Sequence, residues 1–396
     1  MKKNIYLQIT PFFPTTEKFF GPYIYDQVKA IERNSDYKPV VIKVRPALNP
    51  ERPDRTKLLY EYDGIAVYNF DVIDLPSSVL PGLFNPINFS RFLALLKSIP
   101  LDPQKISFVH AHTVYPAGFL ANELKKKFKV PSIIQHHGLD VFQFDNGRLP
   151  KGFLKDLNNR YKLTKFIKIT NDADLNVGVS QKVLDQLSGL NGFRNPNTYV
   201  LHNGVDTTKF YPYDKPKKRD RFIIGCIGNF WPLKDHITLL KAMEILKNKS
   251  YSDIHLKLIG SGPTLPDCKK FIAEHGLEEM VSFEKELDHR KLNEFYNGLD
   301  LFVLPSYYEA FGCVYAEAMQ TGVPIIAVKG QGIEEILKEE DKKRGLIEKG
   351  DHRHLAELIE FRYNHRSKVD YNFNIDQYIK RFLQYIENSL SPTGVV

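Results

Sequence analysis

Short apolar segments rich in Val, Ile and Phe alternate with helical stretches along most of this chain, in two series. This alternation is typical of β-α-β units, in which crossover helices join parallel strands. It predicts an α/β fold built on two parallel sheets. The predicted strands of the first series are 4–10, 39–44, 64–69, 108–111, 132–135, 175–179 and 200–201, and those of the second are 222–227, 255–259, 281–283, 301–304, 324–328 and 345–347.

A polar segment from Phe210 to Asp220, with two prolines and several charges, separates the two series and has the composition of a linker. At 396 residues the chain is also longer than one typical hydrophobic core. We therefore predict two domains, 1–207 and 208–372. Ligands of open parallel sheets bind at the carboxyl ends of the strands, so two facing domains would enclose a cleft.

The overall composition predicts a soluble cytoplasmic protein. No run reaches the roughly 18 apolar residues needed to span a bilayer. The start, Met1-Lys2-Lys3, leads directly into a strand-like segment without the apolar core of a signal peptide. Three scattered cysteines fit a reducing compartment and form no zinc motif. The net charge of +8 favours either general solubility or contact with an anionic membrane face or substrate.

The segment from Pro305 to Met319 predicts a strand end, a loop and a helix start that together carry two carboxylates. An apolar run before it, Leu299 to Leu304, predicts a buried strand, and Gly312 breaks the chain before a run of helix formers. Free N–H groups at such a helix start suit a phosphate, and a carboxylate accepts hydrogen bonds from sugar hydroxyls. Glu309 in the loop and Glu317 in the helix therefore indicate a nucleotide-sugar site.

Seven residues separate Glu309 from Glu317, and this spacing resembles the donor site of retaining glycosyltransferases of family 4, which have the GT-B fold. The Pro-Ser before the pair, the Phe-Gly within it and the Gly-x-Pro after it match the same pattern. The resemblance covers nearly the whole chain. It implies two Rossmann-like α/β domains facing a cleft, the first for the acceptor and the second for the donor, with a C-terminal helix at 373–396 crossing back to the first domain.

Further segments of the second domain match the family's donor loops. Lys234 stands where the family has a Lys on the donor diphosphate, although a solvated surface lysine would give the same residue. Asn229 stands where an Arg is usual, and an amide cannot form the charged fork of a guanidinium. Gly260 and Gly262 resemble the loop below the nucleotide, although Gly-x-Gly-Pro alone predicts an ordinary turn.

Two segments of the first domain resemble the acceptor side of the family. Gly21 precedes the first helix and matches the glycine loop that faces the diphosphate and acceptor, although a plain helix start gives the same pattern. His137 and Asp140 match an H-G-x-D segment whose His approaches the transferred sugar. His136 competes for this role, because neighbouring residues at a strand end face opposite ways.

A histidine pair and an Asn-Gly turn complete the candidate residues. His110 and His112 lie on one face of a strand, where a structural or acceptor-side role is favoured over a metal pair because no third ligand is evident. Asn203-Gly204 resembles the family's segment before the linker, so we expect a hinge near the cleft.

The implied reaction is transfer of a sugar from a nucleoside-diphosphate sugar, of the UDP or GDP type, to an acceptor hydroxyl with retention. His137, Lys234 and Glu309 are the expected catalytic residues, and neither a metal nor another cofactor is expected. Substrate-binding residues are expected to be Gly21, Asp140, Asn203, Asn229, Gly260, Gly262, Phe311, Gly312 and Glu317. The acceptor is expected to be a saccharide or lipid-linked molecule in surface polysaccharide or glycolipid synthesis, and no nucleic acid is expected as a partner.

Three alternatives stay open. A nucleotide-sugar 2-epimerase-like isomerase would act on the donor alone, and a non-catalytic nucleotide-sugar-binding protein would fit Asn229 in place of Arg. The segment from Ala117 to Lys129 is apolar near one side and rich in lysine around the rest. That pattern fits a helix lying on the inner face of an anionic membrane, and it fits a crossover helix with a solvated side equally well.

Overall fold

The computed structural model describes residues 4–15, 21–47, 59–75, 80–144, 153–214, 220–284 and 287–390. The chain divides into two compact units, Met1–His202 with Asp376–Val396 and Asn203–Ile375. The sequence-based boundary between 207 and 208 lies a few residues beyond the end of this first segment. Residues 215–219 of the expected linker fall outside the described residues.

The first unit is built on a sheet whose described strands run in the order β3-β4-β2-β1-β5-β6-β7-β8. All neighbours pair in parallel except β3 with β4. The strands are β1 Ile5–Thr10, β2 Lys38–Pro46, β3 Leu59–Tyr62, β4 Ile65–Val72, β5 Ile106–His112, β6 Ser132–His136, β7 Leu175–Gly178 and β8 Thr198–Val200. The helices are α1 Pro22–Asn34, α2 Asn85–Ser98, α3 Phe119–Phe128, α4 Leu139–Phe142, α5 Phe153–Asp172 and α6 Gln181–Ser188.

The central strands of this sheet are buried on both faces, which is why they are apolar runs rather than alternating patterns. All five residues of β6 are buried, and so are five of the six in β1. Polar residues are unusual in strands of this kind. Gln8 and His110 are nevertheless fully buried beside Ile and Val neighbours. They lie near the strands' carboxyl ends, where candidate functional side chains are expected.

The second unit carries an all-parallel sheet whose described strands run in the order β11-β10-β9-β12-β13-β14. The strands are β9 Phe222–Ile227, β10 Ile254–Ile259, β11 Val281–Glu284, β12 Leu301–Val303, β13 Ile325–Val328 and β14 Leu346–Ile347. The helices are α7 His236–Asn248, α8 Leu265–His275, α9 Leu292–Asn297, α10 Cys313–Gln320, α11 Glu339–Gly345 and α12 His352–Asn364. The predicted series of strands and crossover helices is confirmed in both units.

The last helix, α13 Ile375–Leu390, packs on the first unit. Its Phe382 is fully buried, with its ring centroid 5.8 Å from that of His110 and 5.4 Å from that of Tyr199. At the start of the helix, Arg33 Nη2 lies 2.9 Å from Asp376 Oδ1. The return of the C-terminal helix that the family resemblance implied is therefore confirmed for Ile375–Leu390, whereas residues 391–396 of the predicted helix lie outside the described residues.

The lysine-rich helix α3 has its apolar side in the core of the first unit. Leu120 and Leu124 are buried, and Lys125 Nζ lies 2.7 Å from Asp174 Oδ1. This placement is that of a crossover helix, because the apolar residues already face the sheet. No helix in the described part of the chain is both long enough and apolar enough to span a bilayer.

Candidate functional site

In the second unit a lysine and a glutamate from neighbouring loops contact each other. Lys234 ends a short 3-10 helix after β9, and Glu309 lies in the loop after β12. The two strands are parallel neighbours, so the loops that follow them meet at the same sheet edge. Lys234 Nζ donates to Glu309 Oε1, and the side chains keep 21% and 14% exposure. A cation therefore stands directly beside a carboxylate that can accept from hydroxyls.

The start of α10 adjoins this pair and is shaped by Gly312. This residue is the N-cap, with φ 88° and no side-chain capping bond, and a Cβ there would lie 2.5 Å from the Tyr315 ring. Tyr315 is fixed in turn, because its buried hydroxyl donates to the Leu304 carbonyl at 2.6 Å. Phe311 is buried just before the cap. The helix therefore begins without a side-chain cap, and its N-terminal end favours an anion.

Glu317 lies within α10 and accepts a hydrogen bond from a tyrosine that no sequence motif identifies. Tyr296 in α9 is fully buried, and its hydroxyl donates to Glu317 Oε2 at 2.7 Å. Burial, followed by the charge of Glu317, holds the pKa of Tyr296 well above its usual range. The phenol therefore stays protonated and orients the carboxylate.

Glu309 is positioned by the loop after β13, another contact that sequence reasoning missed. Its backbone N–H donates to the side-chain oxygen of Gln331 at 2.7 Å, and Gln331 is buried. The loop reaches this position because residue 332 is glycine: a Cβ there would lie 2.0 Å from the Ala310 carbonyl oxygen. The sequence pattern Gly330-Gln331-Gly332 could have indicated a functional loop, but it could not show that Gln331 contacts Glu309.

The two glycines of the Gly-Ser-Gly-Pro loop allow close backbone packing in the second unit. A Cβ at Gly260 would lie 2.2 Å from the Gly228 carbonyl oxygen, and a Cβ at Gly262 would lie 2.6 Å from that of Phe230. These contacts bring the loop against the segment that carries Asn229, whose own side chain is exposed. The absence of side chains at Gly260 and Gly262 therefore lets this loop pack directly against the backbone of the segment after β9.

Asn203 lies beside the start of α10. Its side-chain nitrogen lies 3.3 Å from the sulfur of Cys313, the first residue of that helix. Burial, followed by the charge of Glu317, raises the pKa of Cys313 to about 12, so the sulfur stays protonated. Asn203, Lys234, Glu309, Gly312 and Glu317 are thus brought to neighbouring positions around one helix start.

In the first unit, three side chains form a hydrogen-bonded chain that ends at His137. His112 Nε2 lies 2.7 Å from Gln8 Oε1, and His112 Nδ1 lies 3.0 Å from His137 Nε2. Burial lowers the pKa of His112 well below its usual range and that of His137 to about 4, so both rings are neutral near pH 7.

The chemistry of this chain assigns the hydrogens. An amide oxygen only accepts, so His112 Nε2 carries the hydrogen and its Nδ1 carries a lone pair. His137 Nε2 must then donate, which leaves a lone pair on His137 Nδ1. This atom is buried and has no hydrogen-bond partner among the described residues. His137 therefore offers an acceptor to a hydroxyl.

His136 takes a separate position from His137, as the alternation at a strand end predicts. Asn176 donates from Nδ2 to the Thr170 carbonyl, so its oxygen must accept from His136 Nε2 at 3.0 Å. On the other side, His136 Nδ1 lies 3.0 Å from Asp140 Oδ2. Both ring nitrogens of His136 therefore face side-chain oxygen atoms, one from Asn176 and one from Asp140. The second carboxylate oxygen, Oδ1, has no partner among the described residues.

His110 and His112 share a strand face and lie in the core. Their rings stack with centroids 4.6 Å apart, and His110 Nδ1 lies 3.0 Å from the Tyr6 hydroxyl. Within the described ranges, no three His, Cys, Asp or Glu side chains are grouped so that they could hold a metal ion.

Gly21 caps the start of α1, with φ 73°. A Cβ on Gly21 would lie 3.0 Å from the Phe12 backbone, so glycine lets the turn pack against the segment after β1. Two residues further on, the Tyr23 ring lies 5.0 Å from that of His137. The first unit therefore brings the Gly21 turn near His137.

Two family models match this chain and together span residues 22–379. Residues 22–209 match the family described as Glycosyltransferase Family 4, and residues 208–379 match the family described as Glycosyl transferases group 1.

Among curated proteins, mannosylfructose-phosphate synthase of Agrobacterium fabrum is 23% identical over 258 residues, which is 60% of this chain and 57% of that protein. The match thus spans little more than half of that relative. Two solved structures have the same fold. Sucrose-phosphate synthase of Thermosynechococcus elongatus has a TM-score of 0.69 and 18% identity over 98% of this chain and 96% of that one. Anabaena HepE, in complex with UDP and glucose, has a TM-score of 0.70 and 16% identity over 97% of this chain and all of that one.

Proposed function

This chain belongs to glycosyltransferase family 4 and has the GT-B fold, and from that premise we propose that it transfers a sugar from a nucleoside-diphosphate sugar to an acceptor hydroxyl. We propose that the anomeric configuration is retained and that no metal ion takes part. The observation that carries the proposal is the contact of Lys234 with Glu309 beside the uncapped start of α10.

The donor roles follow from the chemistry of these groups. Lys234 and the N–H groups around Phe311 and Gly312 would hold the diphosphate, while Glu309 would accept from hydroxyls of the transferred sugar. Glu317, oriented by Tyr296, would accept from the ribose hydroxyls. Fixed positive groups aimed at a departing phosphate stabilise the charge that develops in the transition state, and such preorganisation is usually the largest contribution to catalysis.

The proposed step forms one bond and breaks one. The acceptor oxygen bonds to the anomeric carbon as the bond from that carbon to the phosphate oxygen breaks on the same face. The proton of the acceptor hydroxyl passes to the departing phosphate oxygen, so no protein nucleophile is required. His137, neutral with a lone pair on Nδ1, would accept from a hydroxyl of the transferred sugar.

The donor is proposed to be of the UDP or GDP type, and the fold shared with Anabaena HepE in complex with UDP and glucose supports a UDP-hexose. We propose an acceptor from surface polysaccharide or glycolipid synthesis, used in the cytoplasm at the inner face of a membrane. The net charge of +8 and the exposed Lys126, Lys127 and Lys129 support contact with an anionic surface.

Thermal-shift measurements with UDP, GDP and ADP test the donor assignment, because a ligand that binds only the folded chain raises its melting temperature. Glu317→Ala should abolish the shift given by the active nucleotide, and Lys234→Ala should cut transfer at least tenfold. Lys249→Ala and Glu360→Ala are matched controls, since each breaks a surface Lys–Glu pair between the residue that follows α7 and a residue of α12. Unchanged binding and transfer in both site variants would refute the assignment.

Two further measurements test the finer claims. The coupling of the anomeric proton in the product reports retention or inversion, and transfer that survives a chelator supports metal independence. Asn229 in place of the usual Arg is the observation that favours a non-catalytic binder. Tight binding of a nucleotide sugar without transfer to any acceptor, and without hydrolysis, would favour that second function.

A further inference from the structure

The short helix α9 carries the tyrosine that orients Glu317. It has only six residues, Leu292–Asn297, and Tyr296 within it donates to Glu317 Oε2. Isolated helices shorter than about 12–15 residues are only marginally stable in water. The position of Tyr296, and with it the direction of the Glu317 carboxylate, therefore depends on what packs against α9.

A segment without regular secondary structure, residues 210–213, runs along α9, and we call it the strap. The Tyr211 N–H donates to Asn293 Oδ1 at 3.0 Å, and Asn297 Nδ2 donates back to the Tyr211 carbonyl at 2.9 Å. The Tyr213 N–H donates to Asn297 Oδ1 at 2.7 Å. Two asparagine side chains, one helical turn apart, therefore bind the backbone of the strap.

These amide contacts, rather than burial of tyrosine side chains, keep the strap in place. Tyr211 and Tyr213 remain 48% and 39% exposed, whereas Asn293 is only 7% exposed. A buried amide that loses its partner costs more free energy than its hydrogen bond contributes. The strap therefore has one favoured register along α9.

Phe210, the first residue of the strap, contacts Tyr296 directly. Phe210 is 2% exposed, and its ring centroid lies 6.0 Å from that of Tyr296. The Tyr296 ring also packs edge-on against Phe302 of β12, with centroids 5.7 Å apart. The phenol that donates to Glu317 is thus held by the strap as well as by the sheet.

We propose that Asn293 and Asn297 are positioning residues that set the preference of this protein for ribose over 2′-deoxyribose in the donor. They fix the strap on α9, the strap and α9 fix Tyr296, and Tyr296 aims Glu317 at the ribose hydroxyls. The inference rests on the proposed donor role of Glu317 and adds two residues that act through Tyr296.

The ratio of the affinities for a ribonucleotide and its 2′-deoxy counterpart measures how well Glu317 is placed. The deoxy sugar offers the carboxylate one hydroxyl fewer, and a site built to bind a hydroxyl discriminates against a ligand that lacks it. A general loss of stability would weaken both ligands alike and leave the ratio unchanged.

Calorimetric titrations of the full-length protein with UDP, GDP and ADP, each beside its 2′-deoxy counterpart, give this ratio. The wild type should bind the active ribonucleotide at least tenfold more tightly, as expected for a hydrogen bond to a charged group. Glu317→Ala should abolish the preference. Asn293→Ala and Asn297→Ala should each reduce it to about threefold or less, because the Glu317 carboxylate is no longer held in one direction.

Asn171→Ala is the matched control. This asparagine of α5 binds the backbone of a neighbouring segment in the same way, with Nδ2 donating to the Gly192 carbonyl at 2.9 Å and Oδ1 accepting from the Arg194 N–H at 2.8 Å. The control should keep the wild-type preference. Asn293→Asp retains an oxygen that accepts from the Tyr211 N–H, so it should restore the preference, which a loss of packing alone would not explain.

Two further variants test the route itself. Tyr213→Pro removes the N–H that donates to Asn297 and leaves both asparagines in place. It should lower the preference even if an alanine variant of α9 fails to fold. In a Tyr296→Phe background, Asn297→Ala should cause no further loss, because the tyrosine hydroxyl through which it acts is already absent.

One pattern of results rejects this inference alone: the wild type prefers ribose and Glu317→Ala does not, while Tyr213→Pro and both alanine variants of α9 keep the preference. A further loss caused by Asn297→Ala in the Tyr296→Phe background would also reject it. A wild type without any preference, or an unchanged preference in Glu317→Ala, would reject the proposed donor role of Glu317 and the inference with it.

Discussion

Tyr296→Phe is a mild test of the role of Glu317, because it deletes only the hydroxyl that donates to the carboxylate and keeps the packing of the ring. The variant should weaken nucleoside-diphosphate binding about tenfold, or about 1.4 kcal/mol, since a hydrogen bond to a carboxylate is lost. Calorimetry with the active nucleotide measures the change. Tyr363→Phe is the control, because its hydroxyl also donates to a carboxylate, Asp253 Oδ2 at 2.7 Å, away from α10. Equal affinity in both variants would contradict the role of Tyr296.

Gln8 should determine which nitrogen of His137 carries hydrogen. Two-bond ¹⁵N–¹H spectra of the wild type at pH 7 should show His137 with hydrogen on Nε2. In Gln8→Met the chain through His112 loses its acceptor, so we expect mixed His137 tautomers and transfer reduced about tenfold. Gln8→Glu keeps an oxygen acceptor and should restore the single tautomer, whereas a merely structural loss would not be repaired. A wild-type His137 with hydrogen on Nδ1 would reject the assignment.

Candidate residues could be found from the sequence, but their partners could not. Glu309 and Glu317 belong to one motif with fixed spacing, and Lys234 belongs to another. Residue type and order were therefore enough to select these three as candidates. Gln331 and Tyr296 belong to no such motif. Gln331 contacts Glu309, and Tyr296 contacts Glu317, only because the fold brings separate segments of the chain together. The same holds for Gln8, 104 residues from His112. A glutamine within an apolar strand was the only local sign.

At the scale of an element, the loop after β13 should be the part of the donor site most sensitive to a single methyl group. In Gly332→Ala the added Cβ meets the Ala310 carbonyl oxygen, so the loop must move and Gln331 must leave the Glu309 backbone. We expect nucleotide binding to fall more than tenfold and stability to fall by about 3 kcal/mol.

Gly330→Ala, two residues away, is the matched control for this loop. It has open space for a Cβ and only an unfavourable φ of 73°. We expect a stability loss of about 1–2 kcal/mol and nearly unchanged nucleotide binding. Chemical denaturation and calorimetry on both variants make the comparison. If Gly330→Ala lost nucleotide binding as fully as Gly332→Ala, the steric explanation would fail.

Most elements could be predicted because buried parallel strands are continuous apolar runs. Strand β3 was missed, since Leu59–Tyr62 alternates between exposed and half-buried residues at the edge of the sheet. It pairs antiparallel with β4 through a turn at Asp63-Gly64, both with positive φ. An Asp-Gly pair is a strong hairpin signal, and weighing it would have identified the strand.

At the scale of the whole molecule, buried neutral histidines should make the free energy of unfolding depend on pH. Burial lowers the pKa of His110 to about 3 and of His236 to about 4, whereas an unfolded histidine titrates near 6.5. Below about pH 6.5 the unfolded chain binds more protons, so stability should fall as pH falls, by about 1.4 kcal/mol per unit for each such histidine. Melting temperatures from pH 7.5 to 5 measure this loss.

His236→Leu should make that dependence shallower by about one proton, because this ring is 2% exposed and both its nitrogens lack partners among the described residues. His365→Leu, at an exposed position, is the control and should keep the wild-type dependence. A wild-type melting temperature that stays flat over this pH range would show that these rings are not buried as neutral groups.

The place of α13 has a consequence for how the protein is made. Its Phe382 covers His110 and Tyr199, yet the ribosome reaches residue 382 only after translating all of Asn203–Ile375. The segment that ends at His202 is therefore translated before Phe382 can pack against His110 and Tyr199, and the second unit is translated in between. A nonsense codon placed between the second unit and α13 would thus damage the first unit, although the codon lies after all of Asn203–Ile375.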